Sequence, residues 1–265
     1  MQIDRPVERV YNSYIKSKGM VLNMLKVIAI NSSSRKMNTY ELITQVKGIL
    51  KNNNIDVEII NLFNYEIKTC IGCENCLVKG ACVLKDQAFE IMEKIKLSDG
   101  IILTSPVYME NVSGKLKTFV DRTCSWFHRP EICGKPVLVI STTKGSGVKA
   151  TVKYLQRVVI QWGGFYAGEI HRTIRTINSK ITESECENFI ALLSMNKERY
   201  KPSLNALINF QVQKVLAYKL VGLDSEYWKE KGWNAEAYYF KCRINTVNRL
   251  VATSFGKFLN EVVNK

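Results

Sequence analysis

The stretch Leu25-Lys26-Val27-Ile28-Ala29-Ile30-Asn31-Ser32-Ser33-Ser34-Arg35-Lys36-Met37-Asn38-Thr39 changes character once, at Asn31. Up to Ile30 it is a short apolar, β-rich run that reads as a buried strand. After Ile30 the only apolar residue is Met37. Beyond it Leu42, Ile43, Val46, Ile49 and Leu50 recur at helical spacing. A strand, a hydroxyl-rich loop and a helix start together make an anion site, because the free N–H groups and dipole at a helix N-terminus favour a phosphate. Ser33, Arg35, Asn38 and Thr39 would add side-chain donors. Asn38 or Thr39 would also serve as a plain N-cap. Neither GxGxxG nor G-x4-G-K-[ST] occurs in the loop, so a dinucleotide fingerprint and a triphosphate loop are not supported.

The same alternation continues along the chain. Ile55–Leu62, Ile101–Thr104, Pro136–Ile140 and Phe165–Ile170 read as further strands. Helices are predicted over Asp86–Ile95, Lys115–Trp126, Ala150–Gln161 and Glu183–Arg199. Strand and helix in turn predict an α/β fold with a parallel sheet. In such a sheet ligands bind outside the carboxyl ends of the strands. The loops Ser32–Thr39, Ser105–Gly114 and Ser141–Gly147 therefore belong to one edge. Lys201-Pro202-Ser203 reads as a boundary. Beyond it, Leu204–Leu223 and most of Ala235–Val263 are predicted helical, and the tail is expected to pack on its own domain or on a second subunit rather than on a membrane. The domain reading is an N-terminal extension over 1–23, an α/β domain over 24–200 and a helical extension over 201–265. In the first of these, Val7, Val10, Tyr11, Tyr14 and Ile15 fit a short helix.

Four cysteines crowd into Cys70-Ile71-Gly72-Cys73-Glu74-Asn75-Cys76-Leu77-Val78-Lys79-Gly80-Ala81-Cys82, spaced C-x2-C-x2-C-x5-C. Thiolates this close on one loop can converge on a cubane iron–sulfur cluster. Zinc is a poorer match, since structural zinc sites pair knuckles that lie far apart in sequence. A metal-free loop with thiols packed as small hydrophobes is the plain alternative. Cys124, Cys133, Cys186 and Cys242 stand alone and read as buried small residues.

The 265 residues form no apolar run near the ~20 needed to span a bilayer, and the N-terminus does not read as a signal peptide. Eight cysteines in such a chain fit a reducing cytoplasm better than a disulfide scaffold. A net charge of +14 favours anionic partners such as phosphorylated cofactors. The basic residues are dispersed and no nucleic-acid reading motif accompanies them, so neither nucleic acid nor membrane is expected as a partner. His128 and His171, the only histidines, have no ligand pair or triad near them in sequence.

Three features coincide: I-N-S-S-S-R-K-M-N-T after the first strand, the four-cysteine loop after the second, and S-P-V-Y-x4-S-G-x-L-K-x-F-x-D-R after the third. Together they resemble the NADPH-dependent FMN reductase family of flavodoxin-like proteins, in its iron–sulfur flavoprotein branch. The resemblance covers about residues 24–170. Ser32 and Ser34 stand where glycine and proline are common, and the loop looks one residue shorter between Arg35 and Asn38. The resemblance implies a five-stranded flavodoxin-like sheet with helices on both faces, bound FMN, and a homodimer or homotetramer. It implies that Ser33, Arg35, Asn38 and Thr39 hold the FMN phosphate. Ser105, Pro106, Val107 and Tyr108 would line the flavin ring with Ser113 nearby, and Thr142, Thr143, Lys144 and Gly145 would form a third loop. Cys70, Cys73, Cys76 and Cys82 would hold a [4Fe-4S] cluster.

The function this implies is an oxidoreductase in which NAD(P)H reduces FMN. The electrons then pass to the cluster, to a small acceptor such as a quinone or nitro compound, or to a redox partner protein. No side chain is required as general acid or base, because the flavin carries the chemistry. A non-enzymatic FMN and iron–sulfur electron carrier or redox sensor is the alternative, since the chain has no separate pyridine-nucleotide motif.

Overall fold

The computed structural model describes residues 24–219 and 222–263. The helix expected within residues 1–23 lies outside them. Five strands form one sheet: β1 (Leu25–Asn31), β2 (Ile55–Asn61), β3 (Gly100–Pro106), β4 (Pro136–Thr142) and β5 (Phe165–Arg172). Their order is β2-β1-β3-β4-β5 and every pairing is parallel. This is the flavodoxin-like order, with its switch point between β1 and β3.

Around the sheet run ten α-helices among the described residues: α1 (Asn38–Asn52), α2 (Asn75–Val78), α3 (Ala88–Leu97), α4 (Gly114–Arg122), α5 (Cys124–His128), α6 (Val148–Gln161), α7 (Glu183–Ser194), α8 (Leu204–Lys219), α9 (Leu223–Glu230) and α10 (Thr246–Val263). The period of two along β1 sorts its side chains between two layers. Val27 and Ala29 join Leu42, Val46 and Leu50 of α1 and Phe189 of α7. Ile28 and Ile30 join Ile91 and Ile95 of α3, Phe119 of α4, Trp126 of α5 and Leu155 of α6. All are buried, and each large apolar side chain so buried contributes roughly 1.5–3 kcal/mol. Continuous apolar runs are what a sheet covered on both faces requires.

A third apolar cluster joins the tail to the sheet. Phe165 of β5 packs with Phe210 of α8, Trp228 of α9, Trp233, Tyr238 and Tyr239. Phe165 stacks on Tyr200 with ring centroids 3.5 Å apart. Two helix expectations change here. Residues 235–245 are irregular and only Thr246–Val263 is helical. Tyr238 and Tyr239 are both buried and Phe240 packs against the same cluster. A helix would spread three consecutive side chains over most of its circumference, so an irregular backbone suits this burial better. Likewise Lys115–Trp126 is two helices, broken at Thr123. Thr123 Oγ1 donates to the Val120 carbonyl at 2.7 Å and accepts from Trp162 Nε1 at 2.8 Å.

The segment between β2 and α3 is an excursion with a closed neck. The Glu66 amide donates to Gln87 Oε1 at 2.8 Å, and the Gln87 amide donates to the Glu66 carbonyl at 3.0 Å. One residue pair further out, the Lys68 amide donates to Asp86 Oδ2 at 2.8 Å. The cysteine run lies beyond that neck.

Candidate functional site

The three loops anticipated at the carboxyl edge of the sheet meet there. Ser33, Arg35, Asn38, Thr39, Pro106, Val107, Tyr108, Thr142, Thr143 and Lys144 line one cavity, together with Met37. The cap residue of α1 is Met37, so neither Asn38 nor Thr39 is the N-cap, and among the described residues no side-chain cap takes the first-turn amides. An uncapped helix start in a polar cavity leaves N–H donors free for an anion. Thr39 Oγ1 instead shares a 2.6 Å hydrogen bond with Thr142 Oγ1, tying α1 to β4.

Three of the anticipated residues do not line the cavity but shape it. Ser105 Oγ accepts the Ser113 amide at 2.9 Å. Ser113 caps α4 by accepting the Leu116 amide, and its hydroxyl donates to the Ser32 carbonyl at 3.0 Å. The Gly145 amide donates to Thr143 Oγ1 at 3.0 Å. Tyr108 and Asn111 close a tight turn through mutual backbone hydrogen bonds, with Met109 and Glu110 at φ values of 46° and 64°. Glu110 accepts a hydrogen bond from Ser146 Oγ, so the second and third loops are joined. Gly147, at φ 84°, permits that approach: a Cβ there would sit 2.8 Å from Glu110 Cα.

The cysteine loop forms a second region. Cys70, Cys73 and Cys82 are exposed and Cys76, on α2, is half-buried. Among the described residues no three His, Cys, Asp or Glu side chains stand as a group that could hold a metal ion. Cys76 nonetheless lies within electrostatic reach of Cys82 and Cys70. Burial, then the charges of Cys82 and Cys70, push the Cys76 thiol up. Cys124, read from sequence as an isolated buried residue, is instead exposed on α5. Burial of its sulfur and the Cys76 charge push its thiol up to about 11. Cys73 goes the other way, held below its usual value by hydrogen bonds from the Asn75 side chain and amide.

Two arginines hold this loop. Arg122, on α4, pairs with Asp86 and donates to Cys82 Sγ at 3.3 Å and to the Lys68 carbonyl at 3.0 Å. Burial pushes the Asp86 carboxyl up, but the Arg122 hydrogen bond and those of the Lys68 and Ala88 amides outweigh it and hold the carboxyl below its usual value. Arg129, seven residues on, pairs with Asp224 and donates to the carbonyls of Cys76 and Leu77. None of Arg122, Asp86, Arg129, Asp224 and Met37 was singled out from sequence. Arg122 alone had a hint, as the arginine of the D-R pair that closes the third motif.

Residues 25–177 match the profile of the NADPH-dependent FMN reductase family. The chain belongs to that family. An iron-sulfur flavoprotein of Archaeoglobus fulgidus is 32% identical over 229 residues, covering 79% of this chain and 100% of the relative. An iron-sulfur flavoprotein of Clostridioides difficile is 27% identical over 224 residues, covering 78% and 98%. Among solved structures, RosB with the bound intermediate 8-demethyl-8-formylriboflavin-5'-phosphate superposes with a TM-score of 0.51 at 11% identity, covering 84% of this chain and 92% of that one. That likeness concerns the fold alone. The family match spans β1 to just beyond β5, and so takes in all three loops of the cavity. No helix among the described residues is long and apolar enough to cross a membrane.

Proposed function

We propose that this chain binds FMN in the cavity at the carboxyl ends of β1, β3 and β4 and works as an NAD(P)H-dependent oxidoreductase. One observation carries the reading: the uncapped start of α1 opens into a cavity lined by Ser33, Arg35, Asn38 and Thr39, at the switch point of the sheet. The donors present fit a phosphate monoester. Arg35 supplies the charge and the α1 amides supply directed hydrogen bonds. Pro106, Val107 and Tyr108 on one side and Thr142, Thr143 and Lys144 on the other offer two walls to a flat ring. Tyr108 is 44% exposed and stands at the lip, where its ring can cover such a guest. Lys144 favours a guest that gains negative charge.

The four loop thiols are the donor chemistry of a [4Fe-4S] cluster, and the name borne by the relatives supports that assignment for Cys70, Cys73, Cys76 and Cys82. FMN would supply hydride acceptance and one-electron release, and the cluster one-electron transfer. The protein's part is to orient these groups and keep water from them. The final acceptor would be a small quinone or nitro compound or a redox partner protein, met by a homodimer or homotetramer in the cytoplasm.

The test is anaerobic purification followed by a visible spectrum, iron and FMN assays, and addition of NADPH. About one FMN and about four irons per chain, with rapid bleaching by NADPH, is the expected result. Flavin without iron would return the cysteines to a structural or redox loop. Both groups present without bleaching would favour the electron carrier or sensor. A colourless protein that cannot be reloaded with FMN would overturn the proposal.

A further inference from the structure

We propose that Asp224, carried by the C-terminal tail, and Arg129 are positioning residues of the cysteine loop, holding the backbone at Cys76 so that its thiol stays within the set of four. The inference deepens the proposed function and rests on the cluster assignment made there. It starts from how little else holds the loop. Residues 70–74 and 79–83 are all exposed, and α2 between them is a single turn with no buried residue. Apolar packing therefore cannot fix the loop, and polar ties must.

Arg129 provides such a tie. The residue is 9% exposed, and its guanidinium donates to two consecutive carbonyls of α2, those of Cys76 and Leu77. Planar, fixed donors suit this forked contact, which a lysine could not match. The opposite charge comes from Asp224 at the start of α9, which is 5% exposed. The second Asp224 oxygen lies 3.0 Å from His128 Nδ1. Tail and core are pinned on both sides of Arg129, because Trp228 Nε1 donates to the His128 carbonyl at 2.8 Å and Tyr227 Oη donates to the Pro130 carbonyl at 2.9 Å. On the other flank of the loop, a Cβ at Gly80 would come within 3.3 Å of Leu223. The tail thus reaches the loop at two places.

Simple docking of the tail does not account for the ion pair. Trp228 and Tyr227 already dock α9, and a buried pair is a costly substitute for apolar packing unless its geometry serves another end. The two carbonyls of α2 are that end. By this reading the C-terminal extension completes the cysteine site.

The test uses the full chain and the variants Asp224→Asn and Arg129→Lys, in iron-free and iron-loaded forms. In iron-free protein, iodoacetamide labelling of each cysteine is followed by mass spectrometry. Cys73, exposed and without a hydrogen bond to Arg129 or Asp224, reports the loop, and fully buried Cys186 reports global opening. Asp224→Asn is expected to speed labelling of Cys76 roughly tenfold, the scale of a lost charge-assisted hydrogen bond, with Cys73 and Cys186 unchanged. Arg129→Lys keeps a charge for Asp224 but loses the fork, and should give an intermediate rate. In loaded protein, iron should pass to a chelator about tenfold faster in Asp224→Asn, with FMN affinity unchanged. A Cys76 rate within twofold of wild type in both variants would overturn the proposal. So would parallel acceleration at Cys73 or Cys186, which marks general loosening. A wild-type protein that takes up no iron would sink the cluster assignment, while the Cys76 labelling would still decide the clamp.

Discussion

Arg35 is exposed at the mouth of the cavity, and its proposed partner is a phosphate rather than a ring. That division of labour can be measured. Arg35→Ala should weaken FMN binding about tenfold, the scale of one charge-assisted hydrogen bond, and leave riboflavin binding unchanged, as followed by quenching of flavin fluorescence. Equal losses for both ligands would place Arg35 elsewhere. A second residue-scale prediction concerns Asp86. Its carboxyl is held below the value of an unfolded chain, about 3.9, so its contribution is full above that value and is lost as pH falls through the folded value. Asp86→Asn leaves Arg122 buried without its carboxylate, and should cost about 3–5 kcal/mol at pH 7. Because the titrating group is gone, urea midpoints of the variant should fall less than those of wild type between pH 5 and pH 3. The cavity residues were legible in sequence, because hydroxyl, amide and guanidinium donors cluster between a strand and a helix within nine positions. The Asp86–Arg122 and Arg129–Asp224 pairs were not, since their partners lie 36 and 95 positions apart and neither spacing leaves a pattern.

At the scale of elements, the inner strands β1, β3 and β4 were readable because parallel strands covered on both faces are near-continuous apolar runs. The edge strands β2 and β5 mix apolar with polar residues and were placed by their β-rich stretches between helices. Four of the five run one or two residues past the expected ends, where Asn31, Ser105, Thr142 and Arg172 continue the ladder with polar side chains, while β2 stops one residue before the expected Leu62. The break at Thr123 was hidden, because the apolar spacing of α4 runs on through Trp126 and only the tertiary bond to Trp162 reveals it. The irregular run at 235–245 was hidden for a related reason: Ala235, Tyr238, Tyr239 and Cys242 recur at helical spacing, and only the joint burial of the adjacent aromatics argues against a helix. The loop after β4 offers a sharp test of how elements set the cavity. Gly147→Ala adds a methyl against Glu110 Cα and forces a residue with φ 84° into a region that disfavours side chains. It should destabilise the protein by about 1–3 kcal/mol in urea denaturation and weaken FMN binding, because loops two and three separate.

For the whole molecule, the tail and the sheet share one aromatic cluster, centred on Trp228, Phe210 and Phe165. Trp228 makes ring contacts with Phe210 at 5.4 Å and with Trp233 at 5.2 Å, and is fully buried. Trp228→Ala should cost about 3–5 kcal/mol of stability, measured by chemical denaturation at pH 7. A cost under 1 kcal/mol would show that α9 contributes little to the folded core. The aromatic richness of the tail was visible in sequence, but its target on β5 was not, because Phe165 reads as an ordinary strand residue. The neck at Glu66, Lys68, Asp86 and Gln87 has a consequence of another kind. Its hydrogen bonds close the excursion without using a single cysteine, and lengthening or shortening a loop changes its closure entropy only slowly. The cysteine segment can therefore change in length while the sheet beneath stays as it is, and an engineer who transplants it would keep those four residues at the graft point together with Arg122, Arg129 and Asp224, which hold it from outside.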